Sequence, residues 1–224
     1  MEQRTYNQCC ATARTLDLVG ERWTLLLIRE LLTGPKRFGE LQAGLRGLGT
    51  GLLASQLKHL EREGLARKVT LPPPARTPAY ALTGAGEELA PAVLALARWG
   101  LTWAMDERRA GETFHAGWAV LGLRACFAPD AAVGLRAVYE FHIGDEVLHA
   151  RVVDGTVETI HGPAPYPDAT VAMTQEAFVD VTARRLTLAD AIEAATATVT
   201  GDEEALRRLP DLFRLPTPRS RRTD

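Results

Sequence analysis

The chain has 224 residues, of which 46% are hydrophobic and 24% charged, the composition of a globular protein with room for two modest domains. It has no apolar run long enough to cross a bilayer and no signal-peptide core at its N-terminus, so we expect a cytoplasmic protein with no membrane partner. The net charge of −2 is split, because residues 1–109 carry 15 Lys+Arg against 11 Asp+Glu and residues 110–224 carry 11 against 17. A basic first half favours a nucleic-acid partner, although ordinary solvated charge also explains the split.

The first predicted elements are helices. Apolar residues at helical spacing predict one amphipathic helix over 13–33, ended by Gly34-Pro35, and a shorter helix after it. Four glycines between positions 44 and 51 indicate a turn. The apolar residues that define the two helices are Leu16, Val19, Trp23, Leu26, Leu27 and Leu31, followed by Phe38, Leu41 and Leu45.

The next predicted helix runs from Thr50 to about Glu63, with Gly64 as its C-terminal cap. Its leucines share one face and its small, polar and basic residues the other, as in a DNA-recognition helix, although an ordinary surface helix has the same pattern. A Gln can hydrogen-bond adenine edges, and a Lys can bind guanine or phosphate. The leucine face holds Leu53, Leu57 and Leu60; Gly51, Ser55, Lys58 and Arg62 lie opposite, with Gln56 and His59 on the flanks.

A basic hairpin follows this helix. Residues 65–71 predict a strand, residues 72–78 a stiff proline-rich tip, and residues 80–82 a returning strand. Helices followed by a basic hairpin are typical of a winged helix. Its basic side chains, which would meet the DNA backbone or the minor groove, are Arg67, Lys68 and Arg76.

Several short motifs follow one another between residues 9 and 103. They are Cys10, Arg14-Thr-Leu-Asp-Leu-Val-Gly20, Trp23-Thr-Leu-Leu26, Gly34-Pro-Lys-Arg-Phe-Gly-Glu-Leu41, Leu57-Lys-His-Leu-Glu-Arg-Glu-Gly-Leu65, Tyr80-Ala-Leu-Thr-Gly-Ala-Gly86 and Trp99-Gly100. In this order they resemble the HxlR-type regulators, a branch of the winged-helix transcription factors close to the MarR type.

The resemblance implies a homodimer that binds a pseudo-palindromic operator in double-stranded DNA. The candidate dimer contact is a stripe of apolar residues at helical spacing, Leu89, Val93, Leu96, Trp99 and Trp103. The alternative is that these residues pack only against their own domain. The start of the recognition helix departs from the family pattern, because Gly49, Gly51 and Ala54 lack the expected polar groups. The candidate DNA-binding residues are Arg37, Thr50, Gly51, Ser55, Gln56, Lys58, His59, Arg67, Lys68 and Arg76.

Three cysteines do not make a disulfide framework. Cys10 lies where members of the resembled family keep a thiol that senses oxidants or electrophiles, and Arg14 one turn away would lower its pKa. The alternative is a small buried hydrophobic residue near the dimer interface. Cys126 falls in an apolar helix, where we expect it to be inert.

The second half predicts strands first and helices afterwards, the pattern of an α+β layer. A helix containing Trp118 and Phe127 is stopped by Pro129, and a strand over 138–143 follows. An Asp154-Gly155 turn indicates a hairpin. The remaining strands are predicted over 147–153, 156–160, 169–173 and 196–200, and the remaining helices over 175–183, from 186, and 203–213, with Thr174 and Thr187 as caps.

Three segments of this half, Asp168-Ala-Thr-Val171, Arg185-Leu-Thr-Leu-Ala-Asp-Ala-Ile192 and Thr198-Val-Thr-Gly-Asp-Glu-Glu-Ala-Leu206, resemble a sterol-carrier-protein domain over about 115–215. The resemblance implies an apolar tunnel between sheet and helices that accepts a hydrophobic molecule. Such residues are also ordinary core residues, and the domain could serve only for dimerisation. The candidate ligand-binding residues are Trp118, Leu121, Phe141, Met173, Phe178 and Ile192.

The sequence therefore predicts an α+β protein with a winged-helix domain over 1–110, a sterol-carrier-protein-like domain over 111–216 and a disordered tail over 217–224. We expect a transcriptional regulator controlled by a small hydrophobic effector, with no metal, cofactor or catalytic site. One alternative is a thiol sensor acting through Cys10. Another is a lipid carrier or enzyme in the second half, with a vestigial DNA-binding module.

Overall fold

The computed structural model describes residues 5–105, 112 and 114–219. The chain forms two units, an N-terminal unit that ends at Val93 and a C-terminal unit that begins at Leu94. This division falls inside one helix, whereas the predicted boundary after residue 110 lies outside the described residues, as do residues 220–224 of the predicted tail. Within the described ranges, no helix is both long and apolar enough to span a membrane.

The N-terminal unit is a winged helix, as the sequence predicted. Its two-stranded antiparallel wing pairs Ala66 with Leu82 and Thr70 with Pro78. The core of this unit takes buried apolar side chains from each helix that precedes the wing, most of them leucines. The elements are α1 (Ala11–Val19), α2 (Thr24–Leu31), α3 (Phe38–Gly44), α4 (Thr50–Arg62), β1 (Ala66–Thr70), β2 (Pro78–Leu82), α5 (Gly84–Glu87) and α6 (Ala90–Trp103), the last of which continues into the C-terminal unit.

The prediction of one helix over 13–33 is wrong, because the chain breaks at Gly20 into α1 and α2. The Gly20 N–H donates to the Leu16 carbonyl at 2.8 Å, and a Cβ at position 20 would stand 2.4 Å from that oxygen. The Thr24 N–H then bonds the Glu21 carbonyl at 3.0 Å, which restarts the helix. Both helices bury apolar residues in the same core, so the periodicity of the sequence hides the break.

Helix α4 has the predicted length and buried face. Leu53, Leu57 and Leu60 are buried in the core. The helix ends in a Schellman motif, in which the N–H of Leu65 bonds the Leu60 carbonyl and that of Gly64 bonds the Glu61 carbonyl. Gly64 has a φ of +70°, a conformation that favours glycine, so the predicted cap is confirmed.

The C-terminal unit is α+β, with a five-stranded sheet among its described residues in the order β5-β4-β3-β6-β7. Strands β3 and β6 are parallel, and the other neighbours are antiparallel. The elements are α7 (Ala119–Cys126), β3 (Arg136–Ile143), β4 (Glu146–Val153), β5 (Thr156–His161), β6 (Ala169–Met173), α8 (Gln175–Thr182), α9 (Leu188–Glu193), β7 (Ala197–Gly201) and α10 (Glu203–Leu212).

Local signals in the second half are confirmed. Asp154 and Gly155 have φ values of +44° and +78°, as a two-residue hairpin requires. Thr174 caps α8 through the Ala177 N–H, and Thr187 caps α9 through the Asp190 N–H. One face of the sheet carries a core that includes side chains from α7, α8 and α10.

A buried polar network fixes α4 against the break between α1 and α2. Gln56 is only 4% exposed, and Thr24 is fully buried. The Thr24 hydroxyl donates to Gln56 Oε1 at 2.9 Å, and Gln56 Nε2 donates to the Glu21 carboxylate. Both ends of the amide are therefore used inside the unit, and the rotation of α4 about its axis is fixed by hydrogen bonds as well as by leucine packing.

We predict that Gln56→Leu destabilises α4 by about 1–3 kcal/mol, because the buried Thr24 hydroxyl loses its partner. Adding Thr24→Val should recover most of the loss, since both partners are then apolar. Native-state hydrogen exchange of the α4 amides in the full chain measures the opening free energy. Gln8→Leu, at an exposed position outside α4, is the matched control and should change it by less than about 0.5 kcal/mol. Equal effects of Gln56→Leu and Gln8→Leu would contradict the role of the network.

Candidate nucleic-acid interface and ligand-binding core

The outward face of α4 carries four of the ten predicted DNA-binding residues. Gly51, Ser55 and Lys58 are exposed, as is Thr50 at the start of the helix. Gln42 of α3 donates its side-chain N–H to the Thr50 hydroxyl oxygen at 2.7 Å, which holds Thr50 in place. This face is free of buried leucine side chains and can approach a groove.

Gln56 and His59 do not join this face. The prediction that Gln56 hydrogen-bonds bases is wrong in this structure, because the amide is buried and engaged by Thr24 and Glu21. His59 is half-buried: its Nε2 donates to the Leu18 carbonyl at 2.8 Å, and its Nδ1 accepts from Arg62 at 2.8 Å. One sequence signal could have shown the burial of Gln56, since it stands three residues after Leu53 and four before Leu60.

The wing supplies further cations. Arg67 is exposed on β1, and Arg76 is exposed at the tip, with a φ of +41°. Lys68 lies 3.6 Å from the Glu61 carboxylate of α4 and 5.9 Å from the centre of the Tyr80 ring. The charge of Lys68 is thus partly neutralised by its own domain. Arg37 is exposed just before α3, where its backbone N–H bonds the Glu40 carboxylate at 2.6 Å.

The six candidate ligand-binding residues do not line one space. Phe141 and Phe178 belong to the core of the C-terminal unit, and Met173 packs against it. Leu121 is buried outside that cluster, whereas Ile192 is 40% exposed. The prediction for Ile192 is therefore wrong, because α9 buries the neighbouring Ala191 instead. A cavity of about 520 Å³ in this unit is lined by none of the six; its lining is Ala131, Glu204, Arg207, Arg208, Asp211 and Arg214.

Two of the six, Trp118 and Phe178, contact the same aromatic ring, that of Phe114. The Phe114 ring lies 5.4 Å from that of Phe178, tilted by 38°, and edge-on at 6.3 Å from that of Trp118, measured between ring centres. The His115 ring is 4.8 Å from Trp118. Its Nε2 atom is buried and has no hydrogen-bond partner in the described part of the chain. A buried polar atom beside aromatic rings is the feature that sequence reasoning missed, and it suits a ligand with an apolar body and a polar group.

The histidines of the sheet have structural partners. Burial alone would raise the pKa of Glu140, but hydrogen bonds from the Ala164 N–H at 2.6 Å and from His142 at 2.7 Å lower that pKa below its usual value. His149 donates to the Gly162 carbonyl at 2.8 Å. These bonds tie the β5–β6 connection to the sheet. No group of three or more His, Cys, Asp or Glu in the described ranges could hold a metal ion.

The cysteines differ in environment. Cys9 and Cys10 are exposed, and Cys126 is buried. Hydrogen bonds from the backbone N–H groups of Ala13 and Thr12, at the start of α1, lower the pKa of Cys10. Burial raises the pKa of Cys126 to about 11. Cys10 is exposed in the single chain, so the alternative that it is a buried hydrophobic residue is wrong there. The expectation that Cys126 is inert fits its burial.

Two solved structures show partial similarity. The inverting sec-alkylsulfatase Pisa1 from Pseudomonas sp. is 23% identical, with a TM-score of 0.41 over 50% of this chain and 18% of its own. The redox regulator HypR in its reduced form is 30% identical, with a TM-score of 0.38 over 41% of this chain and 90% of its own. A family model for the alkyl sulfatase C-terminal region matches residues 127–219.

The first half of the chain is similar to transcriptional regulators. The family model for the HxlR-like helix-turn-helix matches residues 18–108. The HTH-type transcriptional regulator YvaP of Bacillus subtilis is 33% identical over 42% of this chain and 88% of its own length. The HTH-type regulator Rv3095 of Mycobacterium tuberculosis is 41% identical over 40% of this chain, which spans about half (56%) of that protein. This chain belongs to the HxlR-like helix-turn-helix family and is a DNA-binding transcriptional regulator.

Proposed function

We propose that the protein binds operator DNA through the exposed face of α4. The observation that carries this proposal is the outward placement of Ser55 and Lys58 opposite a fully buried leucine face. Lys58 would bind guanine or phosphate in the major groove, and Arg67 and Arg76 would bind the backbone or the minor groove. Such a role places the protein in the cytoplasm.

The DNA-bound form that we propose is a homodimer on a pseudo-palindromic operator. Helix α6 supports it, since Leu96 is 53% exposed and Trp99 is 54% exposed, while Val93 is buried in the N-terminal core. Two exposed apolar side chains three residues apart form a self-complementary stripe suited to a two-fold contact. The two half-sites would then lie one or more helical turns apart, about 34 Å each.

We predict that Lys58→Ala and Arg67→Ala each weaken binding to a duplex that the full chain selects from a random library. Each lost phosphate contact should lower the slope of log affinity against log salt by about 0.9, and twice that for a dimer. Fluorescence anisotropy titrations at several salt concentrations measure both quantities and report whether two chains bind each duplex.

Arg151→Ala is the matched control, because Arg151 is an exposed arginine of the C-terminal unit. It should leave affinity and slope unchanged. The proposed DNA face would be wrong if Lys58→Ala and Arg67→Ala behaved like this control.

For the C-terminal unit we propose binding of a small amphiphilic effector without turnover. Two observations support it: the match to the alkyl sulfatase C-terminal region, and the unpartnered His115 Nε2 beside Phe114, Trp118 and Phe178. An alkyl chain would pack on the rings, and an oxygen of its head group would accept from the imidazole. An effector that prefers one dimer geometry would shift DNA affinity by linkage.

We predict that octyl sulfate changes the affinity for the selected duplex by about fivefold or more, whereas inorganic sulfate does not. His115→Phe should abolish the change, and Ile192→Ala should keep it, because Ile192 is exposed on α9. Circular dichroism checks folding, and chromatography checks that the octyl sulfate is recovered intact. Full DNA affinity that no amphiphile alters would reject effector control, and release of octanol would indicate an enzyme instead.

A second candidate function is thiol sensing through Cys10, favoured by its exposure and its lowered pKa. At neutral pH we expect iodoacetamide to label Cys10 faster than Cys126, since the thiolate is the nucleophile. Mass spectrometry of the peptides measures this, and DNA titrations of Cys10→Ser under peroxide test the regulatory role. Cys9→Ser is the neighbouring control. If peroxide still changes the DNA affinity of Cys10→Ser, the Cys10 thiol is not the sensor.

A further inference from the structure

The first two turns of α4 present an unusual surface for a recognition helix. Thr50, Gly51, Leu52, Ala54 and Ser55 are exposed, and the only side-chain polar groups among them are two hydroxyls. The first amide of the helix, that of Gln56, is buried, and its first cation is Lys58. The exposed chemistry at the N-terminal end of α4 is therefore mainly that of methyl and methylene groups.

Leu52 stands out on this surface. Its side chain is 46% exposed, although the leucines at 53, 57 and 60 of the same helix are buried. Ala54 adds a second exposed apolar group two residues later. Exposed apolar groups at the end of a helix that enters the groove need an apolar counterpart in the DNA, because burying them against polar base edges alone gains little.

The backbone beside these residues is open. A Cβ built on Gly51 meets no atom within 4 Å, and neither does one built on Gly49. The protein interior therefore does not require glycine at either position for lack of space. The two glycines leave the backbone on either side of Thr50 uncovered by side chains, which allows it to come closer to the groove floor.

The major groove carries one apolar marker, the 5-methyl group of thymine. We propose that α4 recognises its half-site through thymine methyl groups, which pack against Leu52 and Ala54, while Lys58 and the wing arginines supply the charge complementary to phosphate. This inference rests on the proposal that α4 enters the major groove. It assigns the operator specificity to methyl contacts in place of the amide–adenine bonds that Gln56 would have made.

The test uses the duplex selected by the full chain, synthesised with deoxyuridine in place of thymidine at one position at a time. The two nucleosides differ only by the 5-methyl group. Loss of one buried methyl should weaken binding about fourfold, and loss of the equivalent methyl in both half-sites about fifteenfold. The same change in flanking DNA outside the protected region should have no effect.

Leu52→Ala is the matching protein change, and it should fold normally because the side chain is exposed. It should bring the thymidine-to-deoxyuridine affinity ratio close to one at the position it contacts. Val133→Ala, an exposed apolar residue of the C-terminal unit, should preserve the ratio.

Ratios within twofold of one at every protected thymine, with Lys58→Ala still weakening binding, would overturn methyl recognition and leave the DNA face in place. Retention of the full ratio in Leu52→Ala and in Ala54→Gly would overturn the assigned contacts. If no duplex is selected at all, the proposed function fails together with this inference.

Discussion

The orientation of α4 about its own axis is the constraint on which the DNA-facing surface depends. Leu53, Leu57 and Leu60 fix it by burial, and each leucine contributes about 1.5–3 kcal/mol when fully removed from water. The hydrogen bonds from Thr24 to Gln56 and from Gln56 to Glu21 restrict the rotation of α4 to a smaller range of angles, because hydrogen bonds are directional and burial is not. A small rotation would leave buried polar atoms without partners, which is costlier than a change in apolar packing.

This constraint has a consequence for DNA recognition. The amide that keeps α4 in place is the same group that could have recognised adenine, and it cannot serve both purposes at once. The exposed end of the helix is left with Leu52, Ala54 and hydroxyl groups. Specificity and affinity are then supplied by different groups, since charge from Lys58 and the wing acts on any sequence, whereas apolar contacts act on the bases.

Features set by neighbouring residues could be predicted from the sequence. The Gly64 cap, the Asp154-Gly155 turn and the Thr187 cap of α9 each depend on the chemistry of a few consecutive residues. Features set by distant contacts could not. Whether Gln56 faces inward depends on Thr24, 32 residues away, and Ile192 is exposed because α9 packs through Ala191 against Ala177 and Ala197. The parallel pairing of β3 with β6 is likewise fixed by a crossover that periodicity does not reveal.

Helix α6 limits how the C-terminal unit can act on DNA binding. Val93 in its first half packs in the N-terminal core, and its residues from Leu94 onward belong to the C-terminal unit, within which Arg98 donates to the Ala125 carbonyl at 3.2 Å. The backbone N–H of Arg219 also bonds Thr102 at 2.6 Å. An effector changes DNA affinity only to the extent that it binds two dimer geometries with different free energies. Leu96 and Trp99 belong to the same C-terminal unit as the proposed effector site, so the free energies of effector binding and of the proposed dimer contact would be coupled within one unit.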